Sequence, residues 1–277
     1  MIEETTAGSH YRIKFDSFGE YLDYHRERPG KKTWGSFNGA KSVAAAVTLA
    51  HTGMNAEGLK AIQLASSLLP NLDALTVSTE WQMVNDVTGG GVDLDAYLRG
   101  EPECMLNFFP VSDQVVAPIV TLVIATGILG HVSDTAITER GKRVMALLAA
   151  IELAGVQCEI WSDSTTHGRR SGGDVTGRIS VRLKAAGEAF DAGTMMYAMT
   201  HDSMHRTLGF NTKDHFPAGK FREGMGGNAG YGSTALGDLI HADDYPAGTV
   251  YIPALRSNSD TLNVEHALRD LGLLAAA

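Results

Sequence analysis

In HRERPGKKTWGSFNG, residues 25–39, Arg26, Arg28, Lys31 and Lys32 stand beside Trp34 and Phe37, laced with three glycines and a proline. STTHGRRSGGDVTGRISVRLK, residues 164–184, places Arg169 and Arg170 in a glycine-rich connection, followed by Arg178, Arg182 and Lys184 on alternate positions of a strand. GKFREGMGGNAGYGS, residues 219–233, offers Lys220, Phe221, Arg222 and Tyr231 on another glycine-rich backbone. Cations hold phosphates, rings and guanidinium planes stack on bases, and glycine lets the chain adjust to both. Together these are the means of sequence-tolerant single-strand binding, in which a stacked base is worth about 1–3 kcal/mol and affinity falls with salt. Each segment alone also reads as a solvated turn or loop, and 219–233 reads first as one, so the recurrence carries the expectation. A duplex reader would show a recognition helix with clustered polar residues, and none is apparent.

Other chemistries are weaker. His201 and His205 in HDSMH are four apart, the spacing of zinc-binding histidines on one helix face, but Asp202 stands where a metalloprotease helix carries glutamate. The turn TGILGHVSD after the 118–126 run lacks the closely spaced Asp and Ser of a divalent-metal site, and Ser133 and Asp134 read as helix caps. The 219–233 loop has no Lys-Ser/Thr pair after its glycines and so no nucleotide cradle. GYGST is not a nucleophile elbow, and Cys158 lies in a buried run. The expectation is therefore a non-catalytic chain without cofactor or metal. The alternatives are a metal-dependent or hydrolytic enzyme with its site at the strand carboxyl ends near Asp163, His201 and His205, and an assembly or host-interaction protein.

These residues need elements to position them. The chain has 277 residues, 44% of them hydrophobic and 20% charged, enough to bury a core. FDSFGEYLDYHRE reads as a helix capped by Asp16 or Ser17, and helices follow over 40–53 and 55–69. NFFPV (107–111) and PIVTLVIAT (118–126) read as buried strands, 133–155 as a long amphipathic helix, and VQCEIWSDS (156–164) as a returning strand, a strand-helix-strand unit that builds parallel sheets. In 176–186, Ile179, Val181 and Leu183 alternate with Arg178, Ser180, Arg182 and Lys184, which predicts one buried face and one row of cations. One or two helices near 190–210, a strand in GTVYIPAL and a closing helix in TLNVEHALRDLG complete the reading. The fold class is α/β: a partly parallel central sheet flanked by helices in three layers, von Willebrand A-like or Rossmann-like by analogy, with an N-terminal helical portion, and not an OB fold.

The expected divisions are a helical N-terminal subdomain over 1–70 with the basic-aromatic arm, an acidic connecting segment over 71–113, and an α/β domain over 114–277. The net charge of −9 sits in two zones. Residues 71–113 hold eight carboxylates against Arg99 alone, and 237–277 hold six against two arginines. Beyond about 8 Å, salt screens exposed charges, so a distant acidic face need not cancel a local basic groove. Two cysteines without metal-site spacing suit a reducing compartment. The acidic N-terminus has no apolar run and the longest apolar stretch, 118–130, is too short to span a bilayer, so the expectation is a cytoplasmic protein with no membrane partner.

FDSFGEYLDYHRERPGKKTWGSFNGAKSVAAAVTLAHTGMNAEGLKAI, PIVTLVIATG through ERGKRVMALLAAIELAGVQCEIW, and MTHDSMHRTLGF together resemble a family of phage-encoded proteins. The chain is similar to the Drc family, single-stranded-DNA-binding RNA polymerase cofactors of podophages that carry a virion RNA polymerase. The resemblance covers most of the chain through helix and core patterns, with no catalytic signature. It implies single-stranded DNA and a phage RNA polymerase as partners in the host cell cytoplasm. The acidic segments are then candidate surfaces for polymerase binding or homo-oligomer formation.

Overall fold

The computed structural model describes residues 1–30, 39–68, 80–111, 119–153, 156–170, 173–227, 231–234, 244–264 and 266–267. Strand β1 (Glu3–Ala7) turns back into β2 (His10–Phe15) as an antiparallel pair. In β2, Tyr11, Ile13 and Phe15 are buried while His10, Arg12 and Lys14 take the other face, the two-residue period of a strand with one apolar side. Helix α1 (Phe18–Glu27) starts where the Ser17 side chain accepts the Glu20 N–H, and it buries Phe18, Tyr21, Leu22 and Tyr24. Ser42 caps α2 (Val43–Thr52) in the same way, and α3 is Asn55–Leu68.

The acidic stretch is more than a connection. Strands β3 (Glu80–Asp86), β4 (Gly91–Val92) and β5 (Met105–Val111) form a separate antiparallel sheet in the order β3-β5-β4. A short helix α4 (Leu94–Leu98), capped by Asp93, lies between β4 and β5.

The strand-helix-strand unit stands as read: β6 (Ile119–Ala125), α5 (Asp134–Leu153) and β7 (Gln157–Arg170), with β6 and β7 parallel. Strand β8 (Gly173–Lys184) runs antiparallel to β7. Then come α6 (Ala192–Thr200), a π-helical turn over Ser203–Leu208, α7 (Gly209–Asp214), α8 (Lys220–Met225), β9 (Ser233–Thr234) and β10 (Val250–Ile252). The central sheet runs β1-β2-β8-β7-β6-β10, with β9 beside β7. The pairs β2/β8, β6/β7 and β6/β10 are parallel, so the sheet is mixed and open, flanked by helices.

The core has two main parts. Tyr11, Ile13, Phe15, Ile179 and Val181 pack with α1, α2 and Tyr197 of α6. Leu122, Ile124, Cys158 and Ile160 pack with Val144, Met145, Leu148 and Ile151 of α5 and with the methionines of α6. Both clusters lie on one face of the sheet, so the helices gather there in place of the expected three layers with the sheet between. The described N-terminal residues thereby share a core with β8 and α6, and β2 is a full member of the sheet.

Candidate nucleic-acid interface

Arg26 and Arg28 end α1, and the exposed Arg26 is held by Asp23 and His51. Arg28 pairs with Glu27 at 3.3 Å, and its guanidinium lies 4.3 Å from the centre of the Tyr24 ring. Burial pushes the Tyr24 hydroxyl up to about 12; Arg28 opposes that, Glu4 adds to it, and Arg222 opposes it again. Arg222 is exposed and donates from Nε to the Phe216 carbonyl at 2.9 Å, while its neighbour Lys220 reaches the Gly8 carbonyl.

The β7–β8 hairpin reaches the same place. A methyl group on Gly168 would meet the Gly224 carbonyl oxygen of α8 at 2.3 Å, so only glycine lets hairpin and helix touch. The backbone of Arg169 and Arg170 follows directly. α8 is therefore the point at which two of the basic segments meet, while Arg28 of the third meets α7, whose Asn211 side chain donates to its carbonyl at 2.9 Å. The arm is pinned at both ends: Gly30 lies against the Asn211 side chain, and Gly39, at φ +73°, lies against the backbone of Ser203, where a Cβ would come within 2.6 Å of its nitrogen. Lys31, Lys32, Trp34 and Phe37 lie outside the described residues, as do the side chains of Arg169 and Arg170.

Five predicted residues are placed differently. Phe221 is buried in the core against Tyr11, with ring centres 5.4 Å apart, because α8 turns its apolar side inward. Tyr231 is buried and stacked on Phe210 at 4.0 Å, its hydroxyl on Asp214, which holds a non-glycine residue at φ 65°. Neither ring can take a base. Lys184 is turned to the helical side: between the pairs Ile160/Lys184 and Trp161/Arg182, β8 advances two residues for one of β7. That bulge sends Lys184 to Glu152 of α5 at 2.8 Å and to the Cys158 carbonyl at 3.1 Å. Arg178 and Arg182 do occupy the face opposite the helices, away from α8. Arg178 is buried there, and Arg182 lies over the Trp161 ring at 5.7 Å.

That face carries residues the sequence reading passed over. Arg12 and Arg178 are directly paired in register on neighbouring strands, a like-charge pair that needs carboxylates. Asp244 takes the Nη1 of both, at 2.9 Å from Arg12. Asp163 accepts from Arg178 Nε at 2.6 Å, Ser180 Oγ at 2.9 Å and the Tyr245 hydroxyl at 3.2 Å. Burial alone would lower the Arg178 guanidinium, but Asp163, Tyr245 and Asp244 hold it above its ordinary value. Tyr245 lies beneath both guanidiniums, 5.1 and 5.4 Å from its ring centre. The alternation of His10, Arg12 and Lys14 with Tyr11, Ile13 and Phe15 was the available signal for β2.

His201 and His205 do not share a helix face. α6 stops at Thr200, and His201, at φ −82° and ψ 126°, is extended. Its Nδ1 is 2.8 Å from Ser203 Oγ and its ring stacks on Tyr197 at 5.0 Å. Burial drives His205 down to about 3, so it is neutral. Among the described residues no group of three or more His, Cys, Asp or Glu side chains could hold a metal ion. No described helix is long and apolar enough to cross a membrane. Comparison with curated proteins and with solved structures gave no match. Residues 2–275 match the family model described as a domain of unknown function, DUF7192, and the chain belongs to that family.

Proposed function

We propose that this protein binds single-stranded DNA without catalysis, through the end of the fold around α8, and serves there as a cofactor of a phage RNA polymerase in the host cytoplasm. One observation carries the binding reading: Gly168 seats the Arg169–Arg170 hairpin on the helix that bears Arg222, and Asn211 of α7 holds the carbonyl of Arg28. The hairpin and α8, far apart in sequence, thereby meet, and α7, packed against α8, carries the end of α1 beside them. The described rings here, Tyr24 and Phe221, are buried, so the described cations supply phosphate contacts and stacking falls to Trp34 and Phe37. Arg178 and Lys184, paired and buried, take no part. The polymerase partner rests on the resemblance of the helix and core patterns to the phage cofactors.

The test is fluorescence anisotropy with labelled oligo-dT and a duplex of equal length across salt. Single-strand preference is expected, with affinity falling as salt rises. Arg222→Ala should weaken binding and flatten the log–log salt slope by about 0.7 for each phosphate no longer neutralised. Lys142→Ala, at an exposed pair on α5, serves as control and should change nothing. Equal affinity for both DNA forms, or an unaltered slope in Arg222→Ala, overturns the reading.

A further inference from the structure

The start of α5 and residues 258–261 enclose a cavity of about 310 Å³, at the small end of the range of ligand sites. Arg140 in its wall ties it to the carboxyl ends of two strands: Nη2 donates to the carbonyls of Ala125, which ends β6, at 3.1 Å and of Pro253, which follows β10, at 2.7 Å. Parallel neighbours β7 and β10 lie on either side of β6, so the strand order reverses there, and open α/β sheets hold ligands outside the carboxyl ends of strands at such points. Arg140 is only 9% exposed and has no carboxylate partner. Its Nε and Nη1 meet no acceptor among the described residues, yet they are not sealed from solvent, which leaves them for the cavity. Arg143, nearly one turn on, donates to the Leu262 carbonyl at 3.4 Å and likewise meets no carboxylate. Two acids line the cavity, and both are engaged elsewhere. Glu139 takes Lys142 at 2.6 Å, and Asp260 accepts the N–H groups of Arg256 and Ser257 and the Ser257 hydroxyl. Burial lowers the Arg140 guanidinium to about 10, and only Tyr251 works against it. A buried cation without a counter-charge is costly, and an anion is what relieves it. Further donors stand around the two arginines. Asn258 Oδ1 accepts the Ser133 N–H at 2.8 Å, which leaves its Nδ2 without a partner, as are the hydroxyls of Thr135 and Thr261. The N–H groups of Asp134 and Thr135 are also unpaired, at the positive end of a helix of 20 residues, and the Asp134 carboxylate does not line the cavity.

We propose that this cavity binds the phosphate of a small hydroxylated monoester, a sugar phosphate in class, with the dianion on Arg140 and Arg143 at the start of α5. Two cations match its two charges, and donors from both sides of the cavity suit a tetrahedral group with three free oxygens better than a planar carboxylate. The hydroxyl and amide groups of Thr135, Thr261 and Asn258 suit a polar body beside it. The site shares no residue with the α8 surface and goes beyond the strand-binding proposal.

Isothermal titration calorimetry of the full chain with ribose 5-phosphate, inorganic phosphate and uncharged ribose tests it. One-to-one binding of the ester is expected, with inorganic phosphate weaker and ribose not binding. Arg143→Gln should weaken the ester by about tenfold or more, as loss of a charged hydrogen bond does, and leave oligo-dT affinity unchanged. Thr261→Ala, at an exposed position, should weaken the ester about threefold and carries the test if Arg143→Gln does not fold. Arg222→Ala should leave the ester unchanged while losing oligo-dT, which separates the two proposals. No binding of the ester at millimolar concentration overturns the assignment, as does ribose or inorganic phosphate binding as tightly as the ester. Unchanged ester binding in Arg143→Gln or in Thr261→Ala overturns it equally, and so does loss of oligo-dT together with the ester in Arg143→Gln, which would make the cavity part of the strand track.

Discussion

Two ion pairs in this protein have the same length and should differ tenfold in what they contribute. Arg178 Nε and Asp163 are 2.6 Å apart with side chains 6% and 3% exposed, and Lys142 and Glu139 are 2.6 Å apart with side chains 27% and 53% exposed. Distance cannot separate them, but solvation does. Water screens the α5 pair and is ready to replace either partner, which limits it to about 0.2–0.5 kcal/mol. In the sheet, Asp163→Asn keeps shape and an acceptor for Ser180 and Tyr245 but removes the charge that faces Arg178. A buried guanidinium then keeps only Asp244 as a described carboxylate, a loss of the kind that costs about 3–5 kcal/mol. At roughly 2–4 °C per kcal/mol for a chain of this size class, Asp163→Asn should lower Tm by about 6–20 °C, and Glu139→Gln by no more than about 2 °C. Thermal unfolding followed by circular dichroism, with urea titration to check that the m-value holds, measures both. If Asp163→Asn melts within about 2 °C of the parent, the view of this network as a dry, mutually dependent cluster is wrong.

Lys213 gives a pH signature. Burial lowers its ammonium to about 7 from 10.5, and its described polar contact is the Tyr231 carbonyl at 3.0 Å. Between those values the unfolded chain holds the proton that the folded chain has released, so stability rises with pH across the window and is lowest below it. Lys213→Met should remove that part of the rise, seen as a smaller difference in Tm between about pH 7 and pH 10; parallel curves would refute it. The thiols should behave unequally: burial pushes Cys158 up to about 12, whereas Cys104 is partly exposed. A thiol reagent at neutral pH should label one cysteine in the folded protein and two after denaturation, and rapid native labelling of both would contradict the packing.

Much of the secondary structure was legible because its causes are local. Ser17 and Ser42 stop one conformation and start another with a side-chain oxygen, and the apolar spacing of 133–155 describes a helix whatever surrounds it. The run 118–126 and the alternation from Ile179 onward likewise give strands close to their observed limits. Less was legible where neighbours decide. HYRIKF has the period of a strand, yet its partner is β8, more than 160 residues away. The break at His201 that separates the two histidines comes from Tyr197 and Ser203 packing around it.

Residue types and their spacing determined that this chain carries cations in three places, each with glycine beside it, and that its strands have one apolar side. They could not determine which cations share a surface. A one-residue bulge sent Lys184 to α5, pairing with β2 placed Arg178 against Arg12 over a buried carboxylate, and contact between two glycines carried the 169–170 hairpin to α8. Side-chain direction in a sheet depends on register, register depends on long-range pairing, and the charge of a buried group depends on what is packed around it. Those are properties of the assembled chain, and they set which arginines meet solvent and which hold the fold together.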